Sequence, residues 1–121
     1  MPGLNILLVS AEAERLRGAL MLAMTHRALG GDARLFLQME AVRLLAAPVR
    51  APQDIAHQDA GFPSLATLLN EALADGIAVI ACQSGLALCA IKAADLDPRI
   101  ETGGLLSFMA AIDPADRLLS L

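Results

Sequence analysis

Asp75-Gly76-Ile77-Ala78-Val79-Ile80-Ala81-Cys82 is the stretch on which the fold class turns. Asp75-Gly76 breaks the chain, and Ile77 to Ala81 follows as an unbroken apolar run rich in β-branched residues. A run so short and continuous predicts a strand buried on both faces, as in a parallel sheet. Leu4 to Val9 and Ala33 to Leu37 read the same way, and Ile100 to Gly103 and Arg117 to Leu121 read as shorter strands. Helical patterns separate them. Ser10 is expected to cap a helix from about Ala11 to Leu29, ended by Gly30-Gly31. Gln38 to Ala46 predicts a short helix with Met39, Val42 and Leu45 inward. Ser64 caps a helix through about Ala74, with Leu65, Leu68, Leu69 and Leu73 at helical spacing. Ser84 or Gly85 opens a further helix to about Ala93, Asp95 to Pro98 is a turn, and Leu105 to Ala111 predicts a last short helix. Strands alternating with helices predict one α/β domain with a mostly parallel sheet covered on both faces.

Between Ala47 and Pro63, the prolines Pro48, Pro52 and Pro63 and several polar residues predict an irregular loop, long enough to imply function or mobility. The 121 residues fit a single domain able to bury a core without staples. Hydrophobic residues make up 56% of the chain, above the roughly 45–50% usual for a soluble domain. No apolar run reaches the roughly 18 residues of a spanning helix, so no membrane is implicated. The surplus, including Met21, Leu22 and Met24 around the first helix, points to contacts between subunits and hence to a homo-oligomer.

Leu4 to Val9 lacks the basic flank and small cleavage-site residues of a secretory signal, so the expected compartment is the cytoplasm. Thiols stay reduced there, and the two cysteines, Cys82 and Cys89, read as free thiols. Seven positions apart, they would stand about 10 Å apart on one helix, beyond disulfide reach. The net charge of −4, the single lysine, the scattered arginines and the absence of Tyr and Trp argue against nucleic-acid binding. The first strand-to-helix turn, Val9-Ser10-Ala11-Glu12-Ala13-Glu14, has no glycine, which removes dinucleotide and P-loop sites. No thioredoxin-like CxxC, GxSxG or HExxH motif and no zinc-ligand spacing is present, so neither a cofactor nor a metal is expected.

Functional residues on parallel α/β sheets lie at the carboxyl ends of strands. Cys82 holds that place, and the opening N–H groups of Gln83, Ser84 and Gly85 are positioned to hold a thiolate, the nucleophilic form of cysteine, or a persulfide on Cys82. The competing reading makes Cys82 a space-filling core residue, since cysteine is among the most buried types. Cys89, among Leu86, Leu88 and Ile91, reads as core. His57 in the long loop is a candidate ligand or acid/base group, with a surface role as the plainer alternative. His26 is expected to interact with a helix C-terminus, Ser84 to act as a cap, and Met21 and Met24 as core or interface filler.

Asn5-Ile6-Leu7-Leu8-Val9, Leu73-Ala74-Asp75-Gly76 through Cys82, Ile91 to Leu96, Ile100-Glu101-Thr102-Gly103-Gly104-Leu105 and Ala115 to Leu119 together resemble the DsrE/DsrF-like superfamily of small sulfur-relay proteins. The resemblance implies a three-layer α/β/α sandwich with about five parallel strands, assembled as trimers or hexamers. In its sulfur-transferring members a cysteine after the equivalent strand accepts persulfide sulfur and passes it on, and Cys82 matches that place. The family's partner-binding basic segment has no counterpart here. Two functions follow. One is a sulfurtransferase or sulfur carrier served by donor and acceptor proteins, with the 47–63 loop controlling access to Cys82. The other is a non-catalytic oligomeric module that binds a small ligand or a protein, with Cys82 structural or redox-responsive.

Overall fold

The structure, a computed structural model, describes residues 1–121. Strands β1 (Leu4–Leu8), β2 (Ala33–Leu37), β3 (Ala78–Cys82), β4 (Glu101–Gly103) and β5 (Arg117–Ser120) form one sheet in the order β4-β3-β2-β1-β5. Every neighbouring pair is parallel. Helices α1 (Ala13–Ala28), α2 (Asp54–Asp59), α3 (Leu65–Ala74), α4 (Gln83–Leu88) and α5 (Leu105–Ala110) connect them, with 3₁₀ segments at Met39–Leu45 and Ala93–Asp95. The α/β class and parallel five-stranded sheet expected from the sequence are what the chain adopts.

The order follows from chain economy. From β1 to β4 each strand pairs with its predecessor, and right-handed crossovers put α1, α3 and α4 on one face. The chain then returns past three strands to the far side of β1, which puts α5 on the opposite face. There Phe108 of α5 meets Phe36 of β2 at 5.0 Å between ring centres. Alternation along the strands and the pairing register fix what else shares the α5 face: Asn5, Arg34, Ile80, Cys82 and Glu101. Leu35, Leu37, Val79 and Ala81 take the other face and are buried, as are Leu16, Leu20 and Ala23 of α1 and Leu65 and Ala72 of α3.

Several local expectations need correction. Ser10 does not cap α1; Glu12 stands at the N-cap and offers no side-chain bond, while Ser10 Oγ is buried without a partner. Gly30, with φ 97°, does end the helix region as its sequence predicts. Met39 does not point inward. It has φ 53° and is half exposed, and Ala41, Val42 and Leu45 supply the buried side of that segment. Helix α4 stops at Leu88, five residues earlier than its pattern implies, because Ala90 turns into the left-handed region at φ 54°. His26 stands in the last turn of α1 as expected, and its Nε2 pairs with the Pro2 carbonyl at 2.8 Å.

The 47–63 segment is not an irregular loop throughout. It contains α2 and is tied down through Asp54, which accepts from the backbone N–H of Ala51 (2.9 Å) and Leu65 (2.9 Å) and from Arg17 Nη2 (2.7 Å). Arg17 is itself only 3% exposed, and its Nη1 donates to the Pro63 carbonyl at 2.8 Å. Partial desolvation raises the Asp54 pKa, but the bonds from Leu65, Ala51 and Arg17 outweigh it and hold the carboxyl below its ordinary value.

Candidate functional site

The carboxyl ends of β2, β3 and β4 enclose a cleft of about 400 Å³ that contains Cys82. Each wall comes from a residue that follows a strand: Gln38 and Met39 after β2, Gln83 and Ser84 after β3, Gly104 and Leu105 after β4. Leu88 on α4 completes the rim, and no charged side chain lines the space. Cys82 is the N-cap residue of α4, lines the cleft and retains 7% exposure. At six residues, α4 is a short helix with a correspondingly modest dipole. Gln83, Ser84 and Gly85 are its first three positions, where backbone N–H groups have no partner within the helix.

Gly85 explains how α4 can pack so close to the backbone that follows β2. A Cβ built there would lie 2.6 Å from the Met39 carbonyl oxygen, so only glycine lets α4 approach that backbone. The same contact accompanies the left-handed conformation of Met39, a conformation that costs a non-glycine residue about 1–2 kcal/mol. Met39, Leu88 and Leu105 leave apolar surface at the cleft mouth, being 52%, 66% and 36% exposed.

Of the residues singled out from sequence, Cys82, Gln83, Ser84 and Gly85 come together here. His57 does not. It lies on α2, where Nε2 pairs with Glu14 at 2.9 Å and the ring meets Phe62 edge-on at 6.5 Å. The bond to His57 is the chief influence lowering the Glu14 pKa. No residue of the 47–63 segment lines the Cys82 cleft either, so the structure offers no basis for a gate there. Cys89 is buried at the C-cap of α4, and both thiols are free. Gln38, Met39, Gly104, Leu88 and Leu105 escaped sequence reasoning. The first three follow parallel strands directly, and that signal could have found them.

A larger groove of about 490 Å³ lies between the Met39–Leu45 segment, α3 and the second 3₁₀ turn, lined by Leu45, Val49, Leu69 and Leu73 with Asn70 and Asp97 at its edge. Arg99 holds the Asp97 carboxyl down to about 2 and also donates to Asn70 at 2.8 Å. That groove carries no nucleophile. No group of His, Cys, Asp and Glu side chains is arranged to hold a metal ion, and no helix is long and apolar enough to cross a membrane.

An all-parallel doubly wound sheet with a cysteine in a cleft at its carboxyl edge defines a class of small α/β proteins. The model of the DsrE/DsrF-like family matches residues 5–121, and the chain belongs to that family, which is associated with sulfur relay. Among solved structures the chain is similar to the ychN protein from E. coli, at 22% identity and a TM-score of 0.75, with 100% of each chain covered. It is also similar to MTH1491, a protein of unknown function from Methanobacterium thermoautotrophicum, at 12% identity and a TM-score of 0.70, again over 100% of each chain. At these identities the likeness establishes the fold alone. Among curated proteins none matches significantly.

Proposed function

We propose that this protein is a sulfur carrier that holds persulfide sulfur on Cys82. The observation that supports this most directly is the place of Cys82 in the lining of an uncharged cleft at the carboxyl edge of a parallel sheet. In the step envisaged, the Cys82 thiolate attacks the outer sulfur of a donor persulfide. A new S–S bond forms on Cys82, the donor S–S bond breaks, and the donor leaves as a thiolate. No external oxidant or reductant is consumed. Attack by an acceptor thiolate on the outer sulfur then reverses the exchange. The N–H groups of Gln83, Ser84 and Gly85, which open α4 directly after Cys82, would serve as donors for the anionic sulfur. Donor and acceptor are proteins in this reading, and the setting is the cytoplasm, where thiols stay reduced. A homo-oligomer, trimeric or hexameric by family likeness, accounts for the exposed apolar side chains.

Intact-mass spectrometry after incubation with a persulfide donor tests the proposal. The native chain should gain one sulfur atom, whereas Cys82→Ala, with Cys89 retained, should gain none. No gain on the native chain, or a gain that maps to Cys89, overturns the reading. The slight exposure of the Cys82 thiol favours a second reading, a non-catalytic binding module in which that thiol is structural or redox-responsive. Under it, Cys82→Ser would keep every cellular role of the protein.

A further inference from the structure

On the same sheet face, Gly104 borders a second and smaller pocket of about 170 Å³, lined also by Arg34, Glu101, Thr102, Gly103 and Ser107. Arg34 stands on the central strand, where a charge needs a reason. Its Nε donates to Asn5 Oδ1 at 2.8 Å and its Nη2 to the Phe108 carbonyl at 2.9 Å, and the guanidinium lies 4.4 Å from the centre of the Phe108 ring. These contacts hold the group rigid while leaving Nη1 without a protein partner. No carboxylate pairs with it. Of the acidic residues that share the neighbouring pocket with it, Asp32 pairs with Arg27, and Asp116 feels the Arg34 charge without bonding to it, accepting instead from the backbone N–H of Gly3 at 2.7 Å and of Asp113 at 3.0 Å. Glu101 enters the same pocket from the edge strand β4, also with neither an ion pair nor a hydrogen bond.

We infer that this pocket binds a small zwitterion of the α-amino-acid type, its carboxylate on Arg34 and its ammonium on Glu101. One fixed positive and one free negative charge face a single small space without meeting, which suits a ligand carrying both charges and suits a simple anion or cation less well. A fork already immobilised by Asn5 and Phe108 loses little freedom when it takes a carboxylate. Ser107 and Thr102 supply hydroxyls for the remaining polar atoms. At about 30 Å³ per water in the liquid, the space matches roughly six waters, the bulk of a molecule with about as many non-hydrogen atoms. Binding at this pocket does not depend on sulfur transfer at Cys82.

The test is a titration of the isotope-labelled full chain, followed by amide NMR, with L-alanine, propionate and ethylamine. Propionate is L-alanine without its ammonium and ethylamine is L-alanine without its carboxylate, and none of the three carries sulfur. L-Alanine should shift the Glu101, Gly103 and Ser107 signals saturably, with each singly charged analogue binding at least tenfold more weakly. Glu101→Gln, at an exposed position that makes no bond in the fold, should weaken L-alanine at least tenfold while the remaining spectrum stays native. Arg34→Lys should do the same, but its bonds to Asn5 and Phe108 also serve the fold, so the Glu101 variant is the decisive one. Absence of saturable shifts, propionate binding as tightly as L-alanine, or an unaffected Glu101→Gln overturns the inference.

Discussion

At the residue scale, two glycines near Cys82 make opposite demands. Gly85 has no room for a Cβ, because the Met39 carbonyl oxygen would lie 2.6 Å away. Gly85→Ala should therefore force α4 from the end of β2 and cost about 1–3 kcal/mol in chemical denaturation. Gly104 has nothing within 4 Å of a built Cβ, and its φ of −104° is open to any residue. Gly104→Ala should change stability by less than about 0.5 kcal/mol. Because Gly104 lines the Cys82 cleft, a methyl there should nevertheless slow alkylation of Cys82 by iodoacetamide. Equal alkylation rates in the two proteins would mean that the thiol is reached by another route.

At the scale of elements, α2 is an excursion with no buried residue of its own, secured to α1 and α3 by the Arg17–Asp54 pair. Breaking a largely buried pair leaves the survivor uncompensated. Asp54→Ala should cost about 2–3 kcal/mol in urea unfolding and open residues 47–63 to limited proteolysis. The sign of the pH effect follows from the lowered pKa. The stabilisation is fully present above the ordinary carboxylate value of about 4 and fades as pH falls through the lower folded-state value. Asp54→Asn should remove that component and flatten the acid limb of the stability curve, as thermal unfolding across pH would record.

At the scale of the whole molecule, the two faces of the sheet are unequally covered. Helices α1, α3 and α4 attend one side and the six residues of α5 the other. All-parallel sheets are almost always covered on both faces. Here β5 is exposed along its length, with Leu118 and Leu119 on opposite faces, and Leu106 and Met109 of α5 also face outward. Sedimentation velocity should find a species several times the 12.6 kDa of one chain. Replacing Leu106 or Leu118 by Asp should shift it towards the single chain without lowering intrachain stability by more than about 0.5 kcal/mol. A native protein that sediments as one chain at all concentrations would contradict this.

The amino-acid order by itself determined the strands, their parallel pairing class and the position of Cys82 at a strand's end. These rest on local alternation and on apolar runs, which neighbours along the chain decide. The tertiary structure alone decided that His57 lies apart from Cys82, that Arg17 secures the 47–63 segment, and that Gln38, Met39, Leu88 and Leu105 surround the thiol. Each of those depends on residues far apart in the chain meeting in space. Even the length of α4 belongs to this second group. Its apolar pattern runs on past Leu88, but the turn at Ala90 sends Ile91 back to bond with the Leu86 carbonyl at 3.0 Å, a chain reversal that helical periodicity does not encode.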